Sequence, residues 1–151
     1  MIQRIQSVYL LLVTALLASN IFLPIGAFLD KSGMLYPFTP LHVALPSAGL
    51  NYTPWGQLAL LILGALISFA TIFLYKNRKL QIRMCTFNTL ILAGYYIVFL
   101  MFMFMTKNSI PATFQFSFGL CLPLIAMILN FLAIRAIRKD EDKVKAADRI
   151  R

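Results

Sequence analysis

The sequence predicts an all-α membrane protein: a four-transmembrane-helix bundle with both termini cytoplasmic and a folded extracytoplasmic loop between helices 1 and 2. Three observations predict it. First, 60% of the 151 residues are hydrophobic and 13% are charged, whereas a soluble domain is about 45–50% apolar and about 25% charged. A chain this short has too little interior to hide that much apolar surface. Second, four long runs carry no charged residue, and about 20 apolar residues suffice to cross a bilayer core. Third, the formal charge of +9 is concentrated at the ends of those runs, the arrangement of the positive-inside rule.

The first run covers residues 7–29, SVYLLLVTALLASNIFLPIGAFL. Pro24 and Gly26 fall near its end, where they kink or stop a helix. A cleaved leader, with Arg4 as its basic region and Ala18 at the cut, is the rival reading. Leader cores run about 7–15 residues, and this run continues past Ala18, so an uncleaved span is expected.

Residues 30–54 form the outer loop. Pro37, Pro40, Pro46 and Pro54 exclude a regular helix through it. Leu35, Tyr36, Phe38, Leu41 and Val43 make it too apolar for a solvated linker. A folded cap is expected, with short extended pieces at 35–38 and 42–45. Tyr36, Tyr52 and Trp55 suit the headgroup interface.

The second span is 55–75. A basic hinge at 76–83 follows, with Lys76, Arg78, Lys79 and Arg83. The third span is 84–105. A short turn leads to the fourth, 114–134, which makes spans three and four antiparallel neighbours. Pro123 lies within the fourth. The tail, 135–151, includes Arg135, Arg138 and Lys139 among seven cations and has four acids. Glu141 and Lys145 have the favoured i,i+4 order. A surface helix and a frayed, solvated tail are equal alternatives for this segment.

Orientation follows from counting. The N-terminal lead has one Lys or Arg, the hinge four and the tail seven. With four spans these segments share a side. The opposite side has two, Lys31 and Lys107. Twelve against two puts both termini and the hinge in the cytoplasm. The expected partners are membrane lipids, with the hinge and tail cations against an anionic inner leaflet. No reader motif supports nucleic-acid binding.

No charged residue interrupts a span, whereas ion and proton pathways usually carry one. His42 and Asp30 alone make neither a metal site nor a triad. Cys85 and Cys121 are expected at opposite depths, too far apart for a disulfide. No cofactor is expected. The polar residues inside the spans carry more information. Thr71, Asn88 and Asn130 are expected to form an inner polar layer, about 6 Å from the boundary at ~1.5 Å per residue. Ser19, Asn20, Ser68, Tyr95 and Tyr96 are expected near mid-membrane. At most one of the adjacent tyrosines can face the axis squarely. The layer reads either as interhelical bonding or as a small polar pocket.

The opening MIQRIQ, leading straight into an apolar span, and the closing AIRKDEDKVKAADRIR resemble a bacterial family of small four-span membrane proteins described only as a domain of unknown function. The likeness covers the whole chain. It implies an uncleaved first span and a bacterial inner (cytoplasmic) membrane. It transfers no catalytic residue. The expected function is a non-enzymatic structural or accessory subunit of a larger membrane complex. The alternative is a small transporter or lipid-binding protein that uses the mid-membrane polar layer.

Overall fold

A computed structural model of the protein describes residues 3–29, 31, 33–41, 55–109 and 113–149. The second expected extended piece (42–45), His42, Asp30, Tyr52 and the last two tail residues lie outside the described residues.

Four helices dominate: α1 (Gln3–Phe22), α2 (Trp55–Phe73), α3 (Arg78–Ser109) and α4 (Cys121–Arg149). Each is long and apolar enough to cross a membrane. α1 packs on α2 and α4, and α3 packs on the same two helices, so the four close into a ring. Buried positions recur with alternating steps of four and three: 6, 10, 13, 17 and 20 in α1, and 57, 61, 64, 68 and 71 in α2. That 3.5-residue spacing is the seam of left-handed helix packing.

The ring is apolar outside, and inside it buries amides among apolar side chains. Leu66, Leu90 and Phe131 are more than 60% exposed, while Asn20, Gln57 and Asn130 are completely buried. A water-soluble bundle has charged and polar residues on its outer face instead. Here the outer faces suit hydrocarbon, and the seam uses amides and small residues.

One end of the ring carries a three-stranded antiparallel sheet: β1 (Gly26–Leu29), β2 (Leu35–Phe38) and β3 (Thr113–Phe116), in the order β2-β1-β3. The extended piece expected at 35–38 is β2. The sheet corrects two expected span boundaries. Apolar composition predicts residues 26–29 and 114–116 as parts of spans one and four, yet they are strands. Pro24 lacks an N–H and turns the preceding residue away from helical geometry, so α1 stops at Phe22. The ladder then begins at once, with Ile25 N–H donating to the Phe38 carbonyl at 2.8 Å. Gly26 is required beside β3, because a Cβ there would meet the Phe114 ring and the Gln115 carbonyl. Gly33, at φ 80°, makes the turn into β2. Pro37 is tolerated because β2 is an edge strand.

The sheet is fastened by aromatic rings. Phe38 lies 5.3 Å from Phe102 of α3, and Phe28 lies 5.0 Å from Phe114. Such edge and tilted pairs add roughly 0.5–1.5 kcal/mol each beyond burial.

At the other end, α2 and α3 are joined by a tight turn. Asn77 is the helix cap, its carbonyl accepting from Gln81 N–H at 3.0 Å. The expected hinge is therefore mostly helical: Arg78 to Arg83 are the opening of α3. α4 begins after a 3-10 turn (Phe118–Leu120) and then runs unbroken to Arg149. Pro123 sits in its first turn, where no N–H is needed. Of the two alternatives for the tail, the helix is the one adopted, with Lys145 held 2.8 Å from Glu141.

Candidate functional site

The seam residues of the four helices meet level by level. Nearest the sheet are Asn20, Gln57, Tyr95 and Pro123. Below them come Leu17, Leu61, Leu92 and Ala126. Then Val13, Gly64, Asn88 and Asn130 share a level, followed by Leu10, Ser68, Cys85 and Ala133. Gln6, Thr71, Gln81 and Ile137 come next, and Arg78 and Asp140 end the series. Apart from Arg78, all are buried. Amide-bearing levels thus alternate with levels that are mostly apolar.

Direct contacts tie these levels together. Ser68 donates to the Leu10 carbonyl at 3.0 Å. Gln81 donates to the Thr71 carbonyl at 3.3 Å, and Gln6 to the Ala136 carbonyl at 3.3 Å. Asn130 Nδ2 donates to the Cys85 carbonyl at 3.1 Å and to Thr89 Oγ1 at 3.2 Å. Gly64 leaves room for Asn88: a Cβ on Gly64 would stand 3.1 Å from Asn88 Oδ1.

The expected inner layer is only partly assembled. Asn88 and Asn130 share a level, but Thr71 lies two levels away. It donates to its own helix at Ile67, 2.6 Å away, and receives Gln81 rather than Asn88. The reason is that α3 starts at Arg78, so Asn88 lies ten residues inside it and not four. Seven residues separate Gly64 from Thr71, a rise of about 10 Å.

The expected mid-membrane layer divides further. Asn20 and Tyr95 meet at the sheet end, the Tyr95 hydroxyl facing the Asn20 amide without an aligned hydrogen bond. Ser68 is three levels below. Ser19 is exposed and bonds back to the Ala15 carbonyl at 2.8 Å. Both tyrosines find interior surroundings: Tyr95 is fully buried, and Tyr96 donates to the Leu120 carbonyl at 2.8 Å.

Sequence reasoning missed Gln57, Gln81 and Gln6. Gln57 is fully buried, and both its amide atoms lack a partner. The steps of four and three from Gln57 through Gly64, Ser68 and Thr71 would have found it. Both atoms of the Asn20 and Asn88 amides, the Tyr95 hydroxyl and Asn130 Oδ1 are likewise buried without partners. An unmet buried polar group costs about 1–3 kcal/mol, so this interior offers several unused donors and acceptors.

The charged end has a different chemistry. Arg78 Nη2 stands 3.2 Å from Asp140 Oδ2, and its Nη1 donates to the Asp140 carbonyl at 3.2 Å. This pair joins the start of α3 to α4 and brings the hinge and tail cations to one end. Lys76, Lys79 and Arg83 are in the groove beside it. Arg135, Arg138 and Lys139 project from α4 and are exposed. Cys85 is buried and Cys121 exposed, both as free thiols.

A family model described as Domain of unknown function (DUF4293) matches residues 2–150. No curated protein matches the chain.

Proposed function

We propose, for a chain that belongs to the DUF4293 family, a non-enzymatic role as an accessory subunit of a larger complex in a bacterial inner membrane. Its charged end and both termini face the cytoplasm, against an anionic leaflet, and the sheet faces outward. The observation that carries this reading is the distribution of charge over the helical ring. The Arg78–Asp140 pair draws the hinge and tail cations to one end, while Lys31 follows β1 at the other. Twelve cations against two is the asymmetry that orients multi-span proteins.

The accessory role is supported by what fills the ring. Among the described residues, the buried positions from Gln6 to Tyr95 are amides, hydroxyls, the Cys85 thiol and apolar groups, and none is a carboxylate or a cation. Proton relays and acid–base sites are built on such groups. Recognition then belongs to the outer faces and the two ends. Extraction from its own cells in a mild detergent, with the chain at native expression, tests this. The reading expects co-purification with a membrane protein in fixed ratio, and recovery of the lone chain would overturn it.

A second reading draws on the unpaired amides of Asn20 and Gln57 beside Tyr95. These groups suit a small polar ligand entering from the sheet end, as in a small transporter or lipid-binding protein. Under that reading Tyr95→Phe and Asn20→Leu impair function at unchanged expression.

A further inference from the structure

Two neighbouring grooves at the charged end share Tyr75 and Arg78 in their walls. The first, about 840 Å³, runs between the α2–α3 turn and the last turns of α4. Lys76, Lys79, Arg83 and Lys145 line it, with Leu80 and Val144 as its apolar part. Among the described residues Glu141 is the one carboxylate on its wall, and Lys145 engages it at 2.8 Å. Among the described residues no ion pair engages Lys76, Lys79 or Arg83. The groove therefore presents a net positive charge, with Glu141 offsetting Lys145 and leaving Lys76, Lys79 and Arg83 in excess.

The second groove, about 590 Å³, lies on the other side of Tyr75 and Arg78, which line both. Val8, Ile72 and Phe73 supply its apolar wall, and Gln6, Ser7 and Gln81 its polar one. It lies where the start of α1, the end of α2 and the start of α3 come together. Phe73 is 66% exposed beside it, an apolar surface left for an occupant to cover.

We propose that the two grooves seat one anionic phospholipid, its phosphate among Lys76, Lys79 and Arg83 and an acyl chain along Val8, Ile72 and Phe73. Arg83 offers a planar fork and the lysines mobile point charges, both suited to phosphate oxygens. A free phosphate would use the first groove alone. An amphiphile uses both, and each methylene it buries adds affinity. The inference rests on the reading that this end meets an anionic leaflet, but the grooves belong to the protein whichever way it is inserted.

The test uses the purified full chain in phosphatidylcholine nanodiscs with graded phosphatidylglycerol, read by native mass spectrometry. One phosphatidylglycerol retained per chain is expected. Lys79→Gln with Arg83→Gln should weaken retention roughly 100-fold, each charge-assisted contact to the phosphate being worth about tenfold. Arg138→Gln with Lys139→Gln removes the same charge outside the grooves and should lower the general excess of anionic lipid around the chain while leaving the one retained phosphatidylglycerol per chain in place. Equal loss in both pairs, displacement by inorganic phosphate, or equal retention of phosphatidylcholine would each overturn the site. Orientation in cells is measured separately. A charged end found outside the cytoplasm, with phosphatidylglycerol retention intact, refutes the leaflet reading and upholds the site.

Discussion

A Cβ placed on Gly64 would stand 3.1 Å from the side-chain oxygen of Asn88 and 3.4 Å from Leu17 Cδ1. The absence of a side chain on α2 is thus what admits an amide from α3 into the middle of the ring. Gly64→Ala should separate α2 from α3 or force Asn88 into another rotamer. A loss of about 1–3 kcal/mol is expected, as for other overpacked cores. Thermal unfolding in detergent measures it. Gly119→Ala should be worse, since a Cβ there would meet the Pro24 backbone carbonyl, which has no rotamer to give.

The Ser68–Leu10 bond joins two helices through a backbone acceptor. Ser68→Ala should lower stability by about 0.6 kcal/mol, the usual worth of an interhelical bond in a membrane, and by no more than about 1.7. Ser19→Ala should have no measurable effect on helix association, because Ser19 bonds within α1 and faces outward. Denaturant unfolding of the two variants side by side distinguishes them.

The difference between Ser68 and Ser19 illustrates what was legible. Uninterrupted apolar runs located all four helices, and the charge count set their grouping by end. Pro37 and its neighbours marked an extended piece that proved to be β2. Composition did not reveal that Gly26–Leu29 and Thr113–Phe116 are strands, because an apolar run at a helix end looks alike in either conformation. Asn88 lies deeper than Thr71 because α3 begins at its cations, at Arg78, and not at the start of the apolar run. Which way a residue faces needs the 3.5-residue seam. On it Asn20 points in and Ser19 out, although they are adjacent.

Arg78 and Asp140 connect α3 with α4 at the charged end. Their side chains are 24% and 11% exposed, so the pair is partly shielded from water. Asp140→Asn should cost about 1–2 kcal/mol, in the range of a charged hydrogen bond discounted for partial exposure. The double variant Arg78→Gln, Asp140→Asn should lose less than the sum of the single losses. A double-mutant cycle in detergent reads the coupling.

Asn20, Gln57 and Tyr95 separate the two functional readings. If their role is confined to packing, Asn20→Leu should leave stability unchanged or raise it by up to ~1 kcal/mol, because it removes unmet polar atoms from an apolar surrounding. The accessory reading expects this result together with intact complex formation. A loss of cellular function at undiminished stability would favour the polar-ligand reading.

The orientation of the charged end is tested most directly by single cysteines at Lys31 and Lys79, placed in a chain with Cys85→Ala and Cys121→Ser. Cells expressing each variant are treated with a membrane-impermeant maleimide before and after permeabilisation. The account predicts labelling of the position-31 cysteine in intact cells and of the position-79 cysteine only after permeabilisation. Labelling of position 79 in intact cells, with position 31 protected, would contradict it.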